Sequence, residues 1–283
     1  MRTFLLLLLV LILPLRAEDD EKAKKIAARK AAIEMAWMGL DVGPLAMLET
    51  ETLRLVAPKE MESKLKAIAV TVEKYRVKAL STLKIDEKES LPDKITVYLL
   101  PSSMNYPSFA RMIEKRRPET GETGSFSAED DKFHAAAAPS KMGPPVEVTA
   151  GEMVASLLLM RKAGVRSPVP EWLVRGFGRA TTYRLSPKDK LALADKKLIR
   201  TVVKKKNAAD IWDGKLDLEE SLPMNAALAE FFAYGPGAAR FIRLVMAYKP
   251  TEENNAPTTA QAFDAIGVSG ATIEKTFKTW VVK

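Results

Sequence analysis

Few side chains in this 283-residue chain have the chemistry of a reaction centre. Cysteine is absent, which removes disulfides, lipid-anchored cysteines, thiolate nucleophiles and thiolate metal ligands. There is one histidine, His134, so no site that needs two imidazoles can be assembled. Carboxylates and arginines remain, and most of the candidates fall in residues 146–183, VEVTAGEMVASLLLMRKAGVRSPVPEWLVRGFGRATTY. Glu147 and Glu152 are a carboxylate pair of the kind that can divide acid and base work. A sugar cleft normally adds aromatic platforms, and aromatics make up only 7% of the chain. Glu147 and Glu171 also fall at expected helix starts, where negative charge complements the helix dipole. The Tyr183 hydroxyl is of a type that stabilises an oxyanion, but its spacing does not single it out. His134 stands apart from both helices and reads as a packed or surface side chain.

Two helices joined by a proline-containing loop must position these groups. Upstream, residues 18–38 are rich in Lys, Ala and Glu, with Ile26, Ile33 and Trp37 at helical spacing. Gly39, Gly43 and Pro44 end that segment. Residues 52–56 alternate as a strand, and Pro58 opens a long helix to residue 83 whose Leu65, Ile68, Ala69, Val72, Tyr75 and Leu80 share a face. A charged connector, 84–93, leads to the clearest strand, 94–100. A short helix through Met112 follows, then a loop over 114–131 with a short strand near Phe126, and an alanine-weakened strand at 133–137. Beyond Tyr183 the pattern is helical to the end, with Pro223 expected to stop one segment and Gly235-Pro236-Gly237 another. Ile273, Phe277 and Trp280 are spaced as core contacts. The reading is an α+β fold: a small mixed sheet with helices in the first half, two core helices, and an all-helical C-terminal half.

Residues 1–17 have the form of an export signal. Arg2 precedes an unbroken apolar run over 5–13, too short for a stable bilayer span, and the small Ala17 precedes the acidic Glu18, Asp19 and Asp20. Cleavage after about Ala17 leaves a mature chain without a transmembrane segment, residing in the periplasm or outside the cell. The formal net charge is +8, and loss of Arg2 and Arg16 leaves +6. The Lys204-Lys205-Lys206 run has no interleaved aromatics, so it reads as a solvated helix end and nucleic acid is not expected as a partner. Arg116 and Arg117 read as a solvated face in the same way.

A zincin peptidase carries two histidines one helical turn apart and a glutamate after the first that acts as base on the zinc-bound water. In the gluzincin branch a later helix adds a glutamate ligand, and the exported peptidase MA-like domains of bacteria typically carry it in Pro-x-Trp-Leu-x-Glu-Gly. This chain resembles such a domain: Pro170, Trp172, Leu173 and Gly176 match in order, and Glu152 falls at the base position. The resemblance implies a zincin-like fold over 51–283, divided into 51–163 and 164–283, behind an N-terminal helical segment at 18–50. It also implies that the ligand positions are occupied by Gly151, Ala155 and Arg175, none of which can hold zinc. The expectation is therefore a domain without metal or cofactor and without peptidase chemistry. In place of zinc, the Arg175 guanidinium is expected to pair with Glu152, with room supplied by Gly151 and Ala155.

Three functions compete. The first is an exported pseudo-peptidase that binds a peptide or an envelope protein in the former cleft. The second is a hydrolase with an altered carboxylate site. The third is a helix-rich structural protein unrelated to peptidases, which a mixed sheet packed under the helix at 149–160 would exclude.

Overall fold

Three strands carry the centre of the sheet: β2 (Leu53–Pro58), β3 (Ile95–Leu99) and β5 (Lys132–Ala137), paired in parallel in the order β2-β3-β5. In this computed structural model residues 24–87, 93–129, 132–141, 143–252 and 254–283 are described; the expected export signal and part of the charged connector lie outside them. An antiparallel strand closes each side, β1 (Leu45–Glu49) on β2 and β4 (Gly124–Glu129) on β5, so the five-stranded sheet is mixed. Because side chains alternate across a strand, the two faces collect different residues. Leu53, Leu55, Ile95, Val97, Leu99, Ala135 and Ala137 face one core; Val56, Tyr98, Leu100, Ala136 and Ala138 face another.

Helices cover both faces. Helix α1 (24–38) and α3 (Tyr106–Met112) supply Ile33, Trp37, Tyr106 and Phe109 to the smaller core. The Trp37 indole N–H donates to Gly43 O at 3.0 Å and closes the turn after α1. On the other face lie α2 (Leu65–Leu83) and α4 (Val146–Ala163). Every residue of α4 from Thr149 to Leu159 is buried, so the sheet packs beneath this helix and other helices enclose its remaining sides. Helix α5 (Glu171–Leu185) runs back across α4; α6 (Lys190–Val202), α7 (Ala209–Trp212), α8 (Leu218–Ala233), α9 (Phe241–Ala247), α10 (Thr259–Ala265) and α11 (Gly270–Val281) complete the helical half. The fold is α+β, with helices filling the second half. The mixed sheet under α4 rules out a helices-only first half.

The structure departs from the sequence pattern in three places. Residues 45–49 fall in the segment read as helical to residue 50, yet they form β1 and pair with β2 from Leu45↔Pro58 to Glu49↔Arg54. Sheet pairing overrode a stretch, LAMLE, of mediocre strand propensity. Pro223 does not stop a helix; α8 runs through it. It sits in the second turn, so the acceptor deprived of an N–H is the carbonyl of exposed Glu219, which water can satisfy. The alanines of β5 are not a weakness either. Ala135, Ala136 and Ala137 are fully buried in a strand covered on both faces, where small side chains let α4 approach.

Candidate functional site

Glu152 sits in the middle of α4, where burial is complete. Helix α5 presents Arg179, Thr182 and Tyr183 toward it, three and four residues apart and so on one face. Thr182 Oγ1 donates to Glu152 Oε1 at 2.7 Å, and the Tyr75 hydroxyl of α2 lies 3.1 Å from Thr182 Oγ1, completing a chain Tyr75–Thr182–Glu152. Arg179 Nη1 lies 3.2 Å from Glu152 Oε1, and its Nε lies 3.7 Å from Asp195 Oδ2 on α6. The Tyr183 hydroxyl donates to that same Asp195 oxygen at 2.7 Å. Arg179 Nε and Nη1 are buried and make no aligned hydrogen bond, so proximity of charge rather than directed bonding holds the guanidinium between two carboxylates.

The electrostatics follow from burial. Desolvation pushes the Glu152 carboxyl above its ordinary range, and the opposing pull of Arg179 does not cancel it. For Arg179, desolvation favours the neutral form, but Glu152 and Asp195 outweigh it and hold the cation. Burial, then Asp195, raises the Tyr183 phenol. That hydroxyl is committed to Asp195 and buried, so it cannot face an oxyanion.

Arg175 does not pair with Glu152. Its Nη1 donates to Gly124 O at 3.1 Å, its Nη2 to Glu122 Oε1 at 3.2 Å, and its Nε lies 3.7 Å from Glu171. One turn earlier on α5 than Arg179, it reaches past α4 to the edge strand β4. The expected compensation of Glu152 by an arginine does occur, but the arginine is Arg179. Nothing at the Pro-x-Trp-Leu positions points to Arg179; its signal in the sequence is an arginine followed three residues later by a threonine on a helix crossing α4.

Gly151 and Ala155 line contacts rather than space. A Cβ at Gly151 would come within 2.4 Å of the Tyr75 ring, so Tyr75 fills that position. Ala155 is fully buried. Glu147 is not brought to Glu152: five residues along a helix places them about 140° apart around the axis, with Glu147 half-buried at the start of α4. That corrects the carboxylate-pair reading. Pro170 caps α5, and Leu173 is fully buried. Trp172 packs against the stacked pair Phe232 and Phe263, with ring centroids 6.2 and 6.3 Å away. A Cβ at Gly176 would lie 2.4 Å from Asn225 O, which fixes α5 against α8.

A second polar cluster joins β4, β5 and the loop after α3. Glu122 Oε1 accepts from Arg116 Nη2 at 2.6 Å, the Tyr106 hydroxyl at 2.9 Å and Arg175, while Arg116 Nε donates to Glu114 at 2.8 Å. Glu114 also accepts from Ser125 Oγ at 2.6 Å, and His134 Nε2 lies 3.3 Å from it. Arg116 is thus a bridge between two nearly buried carboxylates, not the solvated side chain its sequence context suggests. Burial would raise the Glu122 carboxyl, but Arg116 and its other donors hold it below the ordinary range. Among the described residues no three His, Cys, Asp or Glu side chains converge as a metal site.

Among the described residues no further strand pairs with the outer side of β4, where Gly124 and Ala128 are nonetheless buried. Ala138 N donates to Thr123 O just beyond the Gly124↔Ala137 pair, so antiparallel alternation turns the backbone groups of Gly124, Phe126 and Ala128 to the free edge. Arg175 takes the first of these carbonyls. No protein-family model matches this chain, and no curated protein matches it in sequence.

Proposed function

We propose that this chain is an exported, catalytically silent relative of the gluzincin peptidases that binds an extended peptide or envelope-protein segment beside β4. The observation that carries the reading is the buried Glu152–Arg179–Asp195 arrangement at the crossing of α4 and α5, where a zincin would hold its metal. The positions that would supply ligands do not fit zinc: Gly151 and Ala155 offer no donor atom, and Arg175 is a cation. Helix α4, the antiparallel edge strand beside it and the Pro170-Trp172-Leu173 start of α5 support the family likeness. A strand edge that lacks a strand partner can recognise an extended chain through its backbone groups, with side-chain pockets adding selectivity. The signal-like residues 1–17 support export; among the described residues no helix is long and apolar enough to cross a membrane.

The test is elemental analysis of the purified chain after dialysis against zinc, alongside a peptidase assay on an unfolded protein substrate. Zinc well below one per chain and no cleavage are expected. About one tightly held zinc per chain, of the affinity structural sites reach, refutes the reading.

A further inference from the structure

A groove of about 1290 Å³ lies on the outer face of α2, away from the α4–α5 crossing. That exceeds the roughly 300–1,000 Å³ of small-molecule pockets. Its walls are α2 from Lys66 to Ser81, the β1–β2 turn at Thr50 and Thr52, and Leu185 at the end of α5. The sixteen helical residues from Lys66 to Ser81 give it a length of about 22 Å. Along its floor Val70 and Val77 are 58% and 46% exposed, seven residues apart and therefore on one stripe of the helix.

Charge around this stripe is uneven. Arg76 is neutralised within the protein: its Nη2 lies 2.6 Å from Glu73 and 3.1 Å from Glu87, and Glu73 also accepts from Thr52 at 2.9 Å. Lys66 and Lys74 have no carboxylate partner among the described residues. Lys78 lies over the Tyr234 ring at 5.2 Å. With Arg76, four cations and three carboxylates (Glu51, Glu73 and Glu87) line the groove, an excess of one positive charge. Lys66 and Lys74, without a carboxylate partner among the described residues, alternate along this helix with the exposed Val70 and Val77, a pattern complementary to one kind of occupant.

We infer that the α2 groove is a docking site for an acidic amphipathic helix of a partner protein. Its apolar residues at heptad spacing would cover Val70 and Val77, and its flanking carboxylates would meet Lys66, Lys74 and Lys78. This inference is independent of the peptidase-like reading, because no residue of the α4–α5 crossing lines the groove.

The experiment uses the full chain and three labelled 15-residue peptides read by fluorescence anisotropy. One is helical with leucines at heptad spacing and flanking glutamates. The second keeps the leucines and carries lysines instead. The third has the composition of the first in scrambled order. The first is expected to bind at least about tenfold tighter than either control, and more weakly as salt rises. Val70→Asp with Val77→Asp, and separately Lys66→Glu with Lys74→Glu, should each weaken it about tenfold or more while the circular dichroism spectrum stays unchanged. These are exposed side chains, so folding is not at stake. No binding of the first peptide up to about 1 mM, equal binding of any control, or indifference to both double variants overturns the inference.

Discussion

Replacing Glu152 by Gln isolates the energetic role of the buried cluster. The amide keeps the shape and an oxygen to accept from Thr182, so the hydrogen bond seen at 2.7 Å can persist. What disappears is a carboxyl whose proton is held more tightly in the folded chain than in the unfolded one, because burial raises it above 4.5. A folded-state value that is raised gives stability at low pH and loses it as pH climbs through that value. In the wild type, relative to E152Q, stability should therefore fall above the ordinary glutamate range, with a limiting slope of about 1.4 kcal/mol per pH unit for one proton. Urea unfolding followed by circular dichroism from pH 5 to 8, on both proteins, measures that difference directly. Carboxylates with lowered values, such as Glu122 and Glu49, act mainly at more acidic pH and are common to both proteins. Arg179→Met sharpens the contrast. It strips the cation from two buried carboxylates and should cost about 3–5 kcal/mol near neutrality, less at acidic pH. A wild type that gains stability over E152Q as pH rises would refute the account, since Glu152 would then be a well-compensated anion.

Three further outcomes follow from packing. Gly151→Ala drives a methyl into the Tyr75 ring and should destabilise by about 1–3 kcal/mol, seen as a lower thermal midpoint. Trp172→Ala removes a side chain packed against Phe232 and Phe263 and should cost about 3–5 kcal/mol in urea unfolding. Pro223→Ala restores a helix N–H in the second turn of α8 and should raise stability by about 1 kcal/mol or more, read by the same unfolding curve.

The long helices and the central strand were legible because burial there follows a simple period. Leu65, Ile68, Val72 and Leu80 on α2, and Ile95, Val97 and Leu99 on β3, are buried as the pattern says. Strand β1 was not legible: LAMLE lacks strand character of its own and acquires it from β2. At the crossing of α4 and α5 the sequence points to Arg175, whereas the cation beside Glu152 is Arg179. Spacing along one helix says that Arg175, Arg179 and Thr182 share a side; it does not say which of them lies opposite Glu152. That depends on where Gly178 and Ser156 let the helices touch. A Cβ at Gly178 would lie 2.5 Å from Glu152 O, and Ser156 Oγ donates to Val174 O at 2.9 Å. The Arg116–Glu114–Glu122 cluster was hidden for another reason: its members share the loop between α3 and β4, which has no period to show how it folds, and its partners Tyr106, Ser125, His134 and Arg175 come from two helices and two strands.

The contact between Gly151 and Tyr75 also constrains how this chain can change over time. Position 151 admits no side chain while Tyr75 keeps its ring, and Tyr75 is tied through Thr182 to Glu152. A histidine at 151 would arrive against an aromatic ring, and a dication there would face the nearby Arg179. Substitutions toward a metal centre are tolerable only in a set order, with Tyr75 and Arg179 replaced first and each step weakening the buried cluster before any ligand exists to take its place. Change at this crossing is therefore constrained: any path that brings donor atoms to position 151 runs through destabilised intermediates.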